Sequence, residues 1–222
     1  MKFTTLDGSV FKPNRGFYIV PNEYKSKDAI EQLSREGIEA FTGVIGGVDV
    51  ALNYLVGLKP KKTLLIDLNP QAVEYSRARI QAILDSDTFE ESLERLQTEN
   101  SLDRIVSQED LLRDIPHFKR RVVNRIRGFQ DESDYKWSEH YNELRKYLSE
   151  TDVEIEEGDV ITKALEIRRK QGDVSTALYL SNILQWPKNW ERRWQIDEAY
   201  KGHPKTLLIM DSKRKGNVVI KN

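Results

Sequence analysis

Cysteine is absent from the 222-residue chain. That removes disulfides, thiolate nucleophiles and cysteine-based zinc sites. Histidine is nearly as scarce. His117, His140 and His203 lie far apart and share no ligand spacing, which leaves no histidine-built metal site. No stretch approaches the ~18 consecutive apolar residues of a membrane helix. The opening Met1-Lys2-Phe3-Thr4-Thr5-Leu6-Asp7 also lacks the apolar core of a secretion signal. An excess of one charge sign is missing too. The 35 basic and 36 acidic residues give a formal net charge of -1, so no global field draws the chain to nucleic acid or an anionic membrane. These absences lead to the expectation of a cytoplasmic protein without a membrane span or nucleic-acid partner. It would act on a small molecule, and a homodimer is left open.

What is present is charge of both signs and a set of short apolar runs. Charged residues make up 32% of the chain, above the usual ~25%, so much of it must be solvated helix surface. Five apolar, β-branched runs stand out: Ala40 to Ile45, Thr63 to Leu68, Val153 to Glu156, Thr176 to Ile183 and Thr206 to Met210. Near-continuous apolar runs of this length fit strands buried on both faces of a parallel sheet. Asn217 to Ile220 follows a short polar turn and reads as an antiparallel edge strand. Helical patterns separate the first runs. Lys27 to Arg35 and Val48 to Leu58 are two. Pro70 to Leu84 is a third, with Asn69 as N-cap and Pro70 in the first turn. Strand and helix alternating within about 45 residues is the rhythm of a doubly wound α/β sheet with helices on both faces. The rhythm breaks at Asp85. From 85 to 150 the sequence is charged and helix-prone, with Phe89, Leu93 and Leu96, and later Tyr141, Leu144 and Leu148, at helical spacing. It reads as a helical insertion on the carboxyl edge of the sheet, within one domain spanning 1–222.

Candidate ligand groups cluster where these strands end. The first is followed by Gly43-Val44-Ile45-Gly46-Gly47-Val48-Asp49. A glycine-rich turn between a buried strand and a helix lets a ligand approach the backbone and meet helix N-terminal amides, although a tight turn alone also needs glycine. The second ends in Ile66-Asp67-Leu68-Asn69. An acidic residue here, about 20 residues past the glycine turn, is placed to accept hydrogen bonds from ribose hydroxyls. With Asn69 available as the helix cap, Asp67 is freer for a ligand. The third ends in Glu157-Gly158-Asp159-Val160. Asp159 either accepts from an adenine amine, with Val160 against the ring, or caps the helix that follows. The fourth ends with polar Ser181 and Asn182, at the strand end where open α/β sheets bind ligands.

In this order these segments resemble the Rossmann-like S-adenosylmethionine-dependent transferases. More narrowly, Asp67-Leu68-Asn69-Pro70-Gln71-Ala72 and Leu180-Ser181-Asn182 are similar to the aminocarboxypropyltransferases of betaine-lipid synthesis. The resemblance covers about 40–84 and 153–184. It implies a Rossmann-like fold and S-adenosylmethionine as cofactor. It further implies that Gly43, Gly46 and Gly47 line the methionine moiety, Asp67 holds the ribose, Asp159 meets the adenine, and Asn182 lies beside the sulfonium and acceptor. Were the aminocarboxypropyl arm the group moved, Asp49 and Tyr18 would bear on the amino-acid end; Leu68, Asn69, Gly158 and Val160 are further candidates for cofactor binding. The departures are a glycine turn without the usual G-x-G core and a last strand that follows the fifth almost at once.

Methyl transfer to a small-molecule acceptor is the leading expectation. Transfer of the 3-amino-3-carboxypropyl arm, cleavage of the cofactor, or a non-catalytic adenosyl-binding or scaffold role are the alternatives. A nucleotide-dependent oxidoreductase fits the glycine spacing less well. For the acceptor side, the sequence offers the basic run Phe118 to Arg127, with Arg121 and Arg125 on one helical face, and Trp190 and Trp194 one turn apart. Each has a plain counterpart, a solvated helix face and a packed aromatic face respectively.

Overall fold

The computed structural model describes residues 3–4, 10–11, 24–45, 48–98, 115–181, 191–203, 206–212 and 216–221. In chain order the elements are β1 (Phe3–Thr4), β2 (Val10–Phe11), α1 (Lys27–Arg35), β3 (Ala40–Val44), α2 (Val48–Leu58), β4 (Lys62–Asp67) and α3 (Pro70–Leu84). Then come α4 (Phe89–Thr98), α5 (Ile115–Glu132), a 3-10 turn at Trp137–His140, α6 (Tyr141–Glu150) and β5 (Val153–Glu157). The last are α7 (Ala164–Gln171), β6 (Thr176–Ser181), α8 (Arg193–Ala199), β7 (Thr206–Ser212) and β8 (Gly216–Lys221).

Six strands form one sheet in the order β5-β4-β3-β6-β7-β8. The first five run parallel, and β8 pairs antiparallel with β7. β1 and β2 make a separate two-stranded pair. The chain winds outward from β3 to β5, then returns to the other side of β3. That reversal puts a topological switch point between β3 and β6. The fold is Rossmann-like.

Alternation along the strands divides the core in two. Phe41, Leu65, Ala177, Tyr179, Leu207 and Ile209 face α1, α2, α3 and the insertion. Val44, Leu64, Ile66, Leu178 and Leu180 face α7 and α8. The central strands β3, β4 and β6 are apolar on both sides because helices cover both sheet faces, whereas β5 at the edge alternates Val153 and Ile155 with glutamates. On the first face Phe41 stacks on Tyr54, which tilts against Tyr179, with ring centroids 5.7 and 5.3 Å apart. On the second, Tyr200 donates to Gln171 at 2.7 Å, and Gln171 donates to Thr42 at 2.5 Å. This buried chain fastens α7 beneath β3.

The described helices of the insertion do not sit on the carboxyl edge of the sheet. They form a second helical layer over α2 and α3. The reason is their own apolar stripes: Leu93 and Leu96 on α4, Val122, Val123, Ile126 and Phe129 on α5, and Leu144 and Leu148 on α6 are all buried. Such stripes need an apolar surface, and α2 provides one. Every residue from Val48 to Val56 is buried, which a helix facing solvent on one side would not show. α6 then carries the chain to the amino end of β5. On the way, Tyr147 bridges the Thr63 hydroxyl at 2.8 Å and donates to the Pro60 carbonyl at 2.9 Å.

The insertion also completes α1. Ser26, at the helix start, makes no side-chain cap. The Asp134 carboxylate instead accepts from the Ser26 and Lys27 amides at 2.8 and 3.1 Å. Asp134→Ala is expected to lower stability by about 1 kcal/mol, the scale of a lost N-cap, whereas Asp134→Asn keeps an acceptor and most of that stability. Urea denaturation of the two variants checks this.

Candidate functional site

The carboxyl ends of β4 and β5 bring two of the sequence candidates side by side. β4 and β5 stay in register to Asp67 and Glu157. One step further, the Gly158 amide donates to the Asp67 carbonyl at 2.8 Å. Asp67 and the Gly158-Asp159 pair therefore share one rim, next to the switch point.

Asp67 ends β4 half-buried. One carboxylate oxygen accepts from the Asn69 amide at 2.8 Å. Burial pushes its pKa up to about 6, against the lowering effect of the Asn69 and Leu68 amides. Asn69 performs the capping expected of it: its side chain accepts from the Gln71 amide at 2.9 Å, with Pro70 starting α3. Leu68, between them, leaves 40% of its surface exposed.

Asp159 does not cap the helix that follows, because α7 starts only at Ala164 with Lys163 at its N-cap; it braces the turn before that helix. One oxygen accepts from the Ile161 amide at 2.9 Å, and the other takes Arg192 at 2.6 Å. Val160 is buried among Ile161, Leu178 and Leu180. Its side chain belongs to the core under the rim. At Gly158 a Cβ would stand 2.8 Å from Lys163 Cε, because the Lys163 side chain crosses this point toward Glu156 at 3.4 Å.

The glycine turn divides. Gly43 lies inside β3, paired with Leu65 and Tyr179. A Cβ there would come 2.8 Å from the Phe41 ring, so packing alone accounts for this glycine. Gly46 and Gly47 lie outside the described residues, as does Asn182. The backbone of Ser181 pairs with Met210 after a register irregularity that begins at Tyr179. β6 is thus locally bulged beside the switch point, a common device for re-aiming groups near a site.

Asp49 belongs to a different cluster. It sits in the first turn of α2, fully buried, and its carboxylate faces Arg79 of α3, also fully buried, at 3.7 Å. Trp137 of the insertion donates its indole N–H to the same oxygen at 3.2 Å. The Trp137 amide donates to Asn53, one turn along α2, at 2.9 Å. The Arg79 guanidinium lies 4.8 Å from the Trp137 ring centroid, and its Nη1 reaches Ser92 of α4 at 3.3 Å. Burial pushes the Asp49 carboxyl up, opposed by Arg79 and Trp137. This constellation escaped the sequence reading, though a signal was there. Arg79 is an ionisable residue on the same helical stripe as Ala72, Tyr75 and Ile83, where a solvated residue does not belong.

Of the acceptor-side candidates, Trp194 is 63% exposed; Trp190 lies outside the described residues. Arg121 and Arg125 are exposed on α5 in the outer helical layer. Among the described residues, no helix is long and apolar enough to cross a membrane.

Compared with known proteins, the chain matches no protein-family model, and no curated protein is detectably similar to it.

Proposed function

We propose that the rim formed by β4 and β5 binds an adenosyl ligand, and that the protein is an S-adenosylmethionine-dependent transferase acting on a small molecule. Asp67 is the observation that carries this reading. A carboxylate held half-buried at the end of the strand beside β3 is costly by itself. It is relieved by donors, and a ribose diol supplies two adjacent ones in bidentate geometry. Exposed Leu68 next to it offers an apolar surface for the sugar or base. The switch point between β3 and β6 is where open α/β sheets take their ligands. Ser181 and Asn182 at the end of β6 are the proposed groups beside the sulfonium, and Gly46 and Gly47 the proposed turn around the methionine end.

When bound, S-adenosylmethionine supplies an already activated methyl group on sulfur. The chain's task is then to hold that carbon in line with the acceptor's lone pair and to exclude water. A base is needed only where the acceptor must also lose a proton. Product analysis tests the transfer: S-adenosylhomocysteine supports methyl transfer, while methylthioadenosine points to the aminocarboxypropyl arm.

Binding is tested more directly at Asp67. Asp67→Ala should weaken adenosine and S-adenosylmethionine binding by about 1–3 kcal/mol, the scale of hydrogen bonds to a charged group, with an unchanged far-UV spectrum. Equal affinity in calorimetry removes Asp67 from the site. The pH dependence follows from its raised pKa. Hydroxyl donors favour the ionised carboxylate, so affinity for uncharged adenosine should fall as pH drops through about 6. In Asp67→Asn that dependence should vanish. Stability runs the other way. Between the ordinary value of 3.8 and about 6 the folded state holds more protons than the unfolded one, so stability declines as pH rises through this window. With allowance for solvent screening, Asp67→Asn should therefore be about 1 kcal/mol more stable than the parent at pH 7.

A further inference from the structure

One ion pair at the proposed rim joins segments far apart in sequence. Arg192 is the residue before α8, and its Nη2 lies 2.6 Å from Asp159 Oδ2. The two side chains are 27% and 19% exposed. Asp159 Oδ1 is already committed to the Ile161 amide, so Oδ2 is the oxygen that an incoming amine would have to use. Arg192 has also left its Nε without a hydrogen-bond partner among the described residues, in a position where the guanidinium meets no second acceptor. An arginine that gives up a bidentate arrangement for a single bond is a poorly satisfied partner, and a replaceable one.

We propose that Arg192 competes with the base of the adenosyl ligand for Asp159 and so sets the affinity and salt dependence of that site. This rests on the adenosyl reading of the rim. The exocyclic amine of adenine would take Oδ2, and Arg192 would be released toward solvent. Trp194, two residues along and 63% exposed, lies on the same short segment, which gives the release an optical reporter. The pair is only partly buried, so its strength falls as ionic strength rises. Uncharged adenosine has no such salt dependence of its own.

The test uses the full chain and adenosine in titration calorimetry, with Arg192→Gln compared against the parent at low and at high salt. Arg192→Gln should bind adenosine roughly two- to fivefold more tightly at low salt, the fold-change that a solvent-screened, partly exposed ion pair corresponds to. Added salt should tighten adenosine binding to the parent and leave Arg192→Gln unchanged. Trp194→Phe should abolish the fluorescence change that accompanies binding without altering affinity. Arg192→Lys keeps the charge and should stay closer to the parent, which separates competition from a general loss of packing. Equal affinity and equal salt response in parent and Arg192→Gln overturn the competition and leave the adenosyl site standing. Absence of adenosine binding to both proteins, each shown to be folded by circular dichroism, overturns the site and the competition with it.

Discussion

Arg79→Met is expected to destabilise the protein by about 3–5 kcal/mol, the cost of removing one partner from a buried ion pair. Asp49 would then be a fully buried carboxylate balanced by the Trp137 indole and its own backbone amide, with no counter-charge from Arg79. The loss should depend on pH, with a sign that can be worked out. Burial already raises the Asp49 pKa above the usual carboxylate value of 3.8, and removing Arg79 raises it further. The folded variant then takes up a proton that the unfolded chain does not, so its stability falls as pH rises from the ordinary carboxylate range. The deficit should be smallest in mild acid and largest at neutral pH, read from urea midpoints across that range. Converting both residues, Asp49→Leu with Arg79→Met, should recover most of the loss, because replacing a buried pair by apolar groups is often neutral. A double variant as unstable as Arg79→Met alone would show that Trp137 depends on the Asp49 carboxylate rather than on filling space.

Trp137→Ala carries the second large expectation, about 3–5 kcal/mol, typical of deleting a buried aromatic side chain. Its indole is fully buried, packed edge-on to Phe89 at 5.2 Å and over Arg79. It is also the point where the insertion grips α2, through Asp49 and Asn53 one turn apart. Trp137→Phe separates the two contributions. It keeps a ring over the guanidinium and loses the indole donor, so it should cost roughly 1–3 kcal/mol, the cost of leaving a buried acceptor without its partner. Hydrogen exchange should show where the strain goes. In Trp137→Ala, protection should fall in the first turn of α2 and in α6 before it falls in β7. Uniform loss across all elements would mean that the insertion and the sheet unfold as one unit.

Much of the architecture was legible from the chain alone, and for local reasons. α1 at Lys27–Arg35, α2 at Val48–Leu58 and α3 at Pro70–Leu84 appear with the bounds the pattern predicts, since a cap, a first-turn proline and an apolar stripe are all encoded within a few residues. The central strands were legible because double burial leaves continuous apolar runs. The candidate site was legible in part. Asp67 lies where its place on the second parallel strand puts it, and Asn69 caps α3 as its position implies. The remainder depended on contacts between distant segments. Asp159 pairs with Arg192, 33 residues away, and Asp49 meets Trp137, 88 residues away. No local pattern specifies either.

The carboxylates mark the division most clearly. By itself, the sequence determined that Asp49, Asp67 and Asp159 each stand at the carboxyl end of a parallel strand or at the start of the helix after it, because alternation and turn chemistry act over a few residues. Only the tertiary structure decided what each faces. Asp49 turns into the helical layer because Arg79 is buried there and requires a counter-charge. Asp159 is held by Arg192 because α8 begins across the rim. Asp67 keeps its place at the end of β4, its carboxylate bonded, among the described residues, only to the turn that follows it. A carboxylate's partner is set by whichever cation the fold brings within a few ångströms, and that distance is a property of the packed chain.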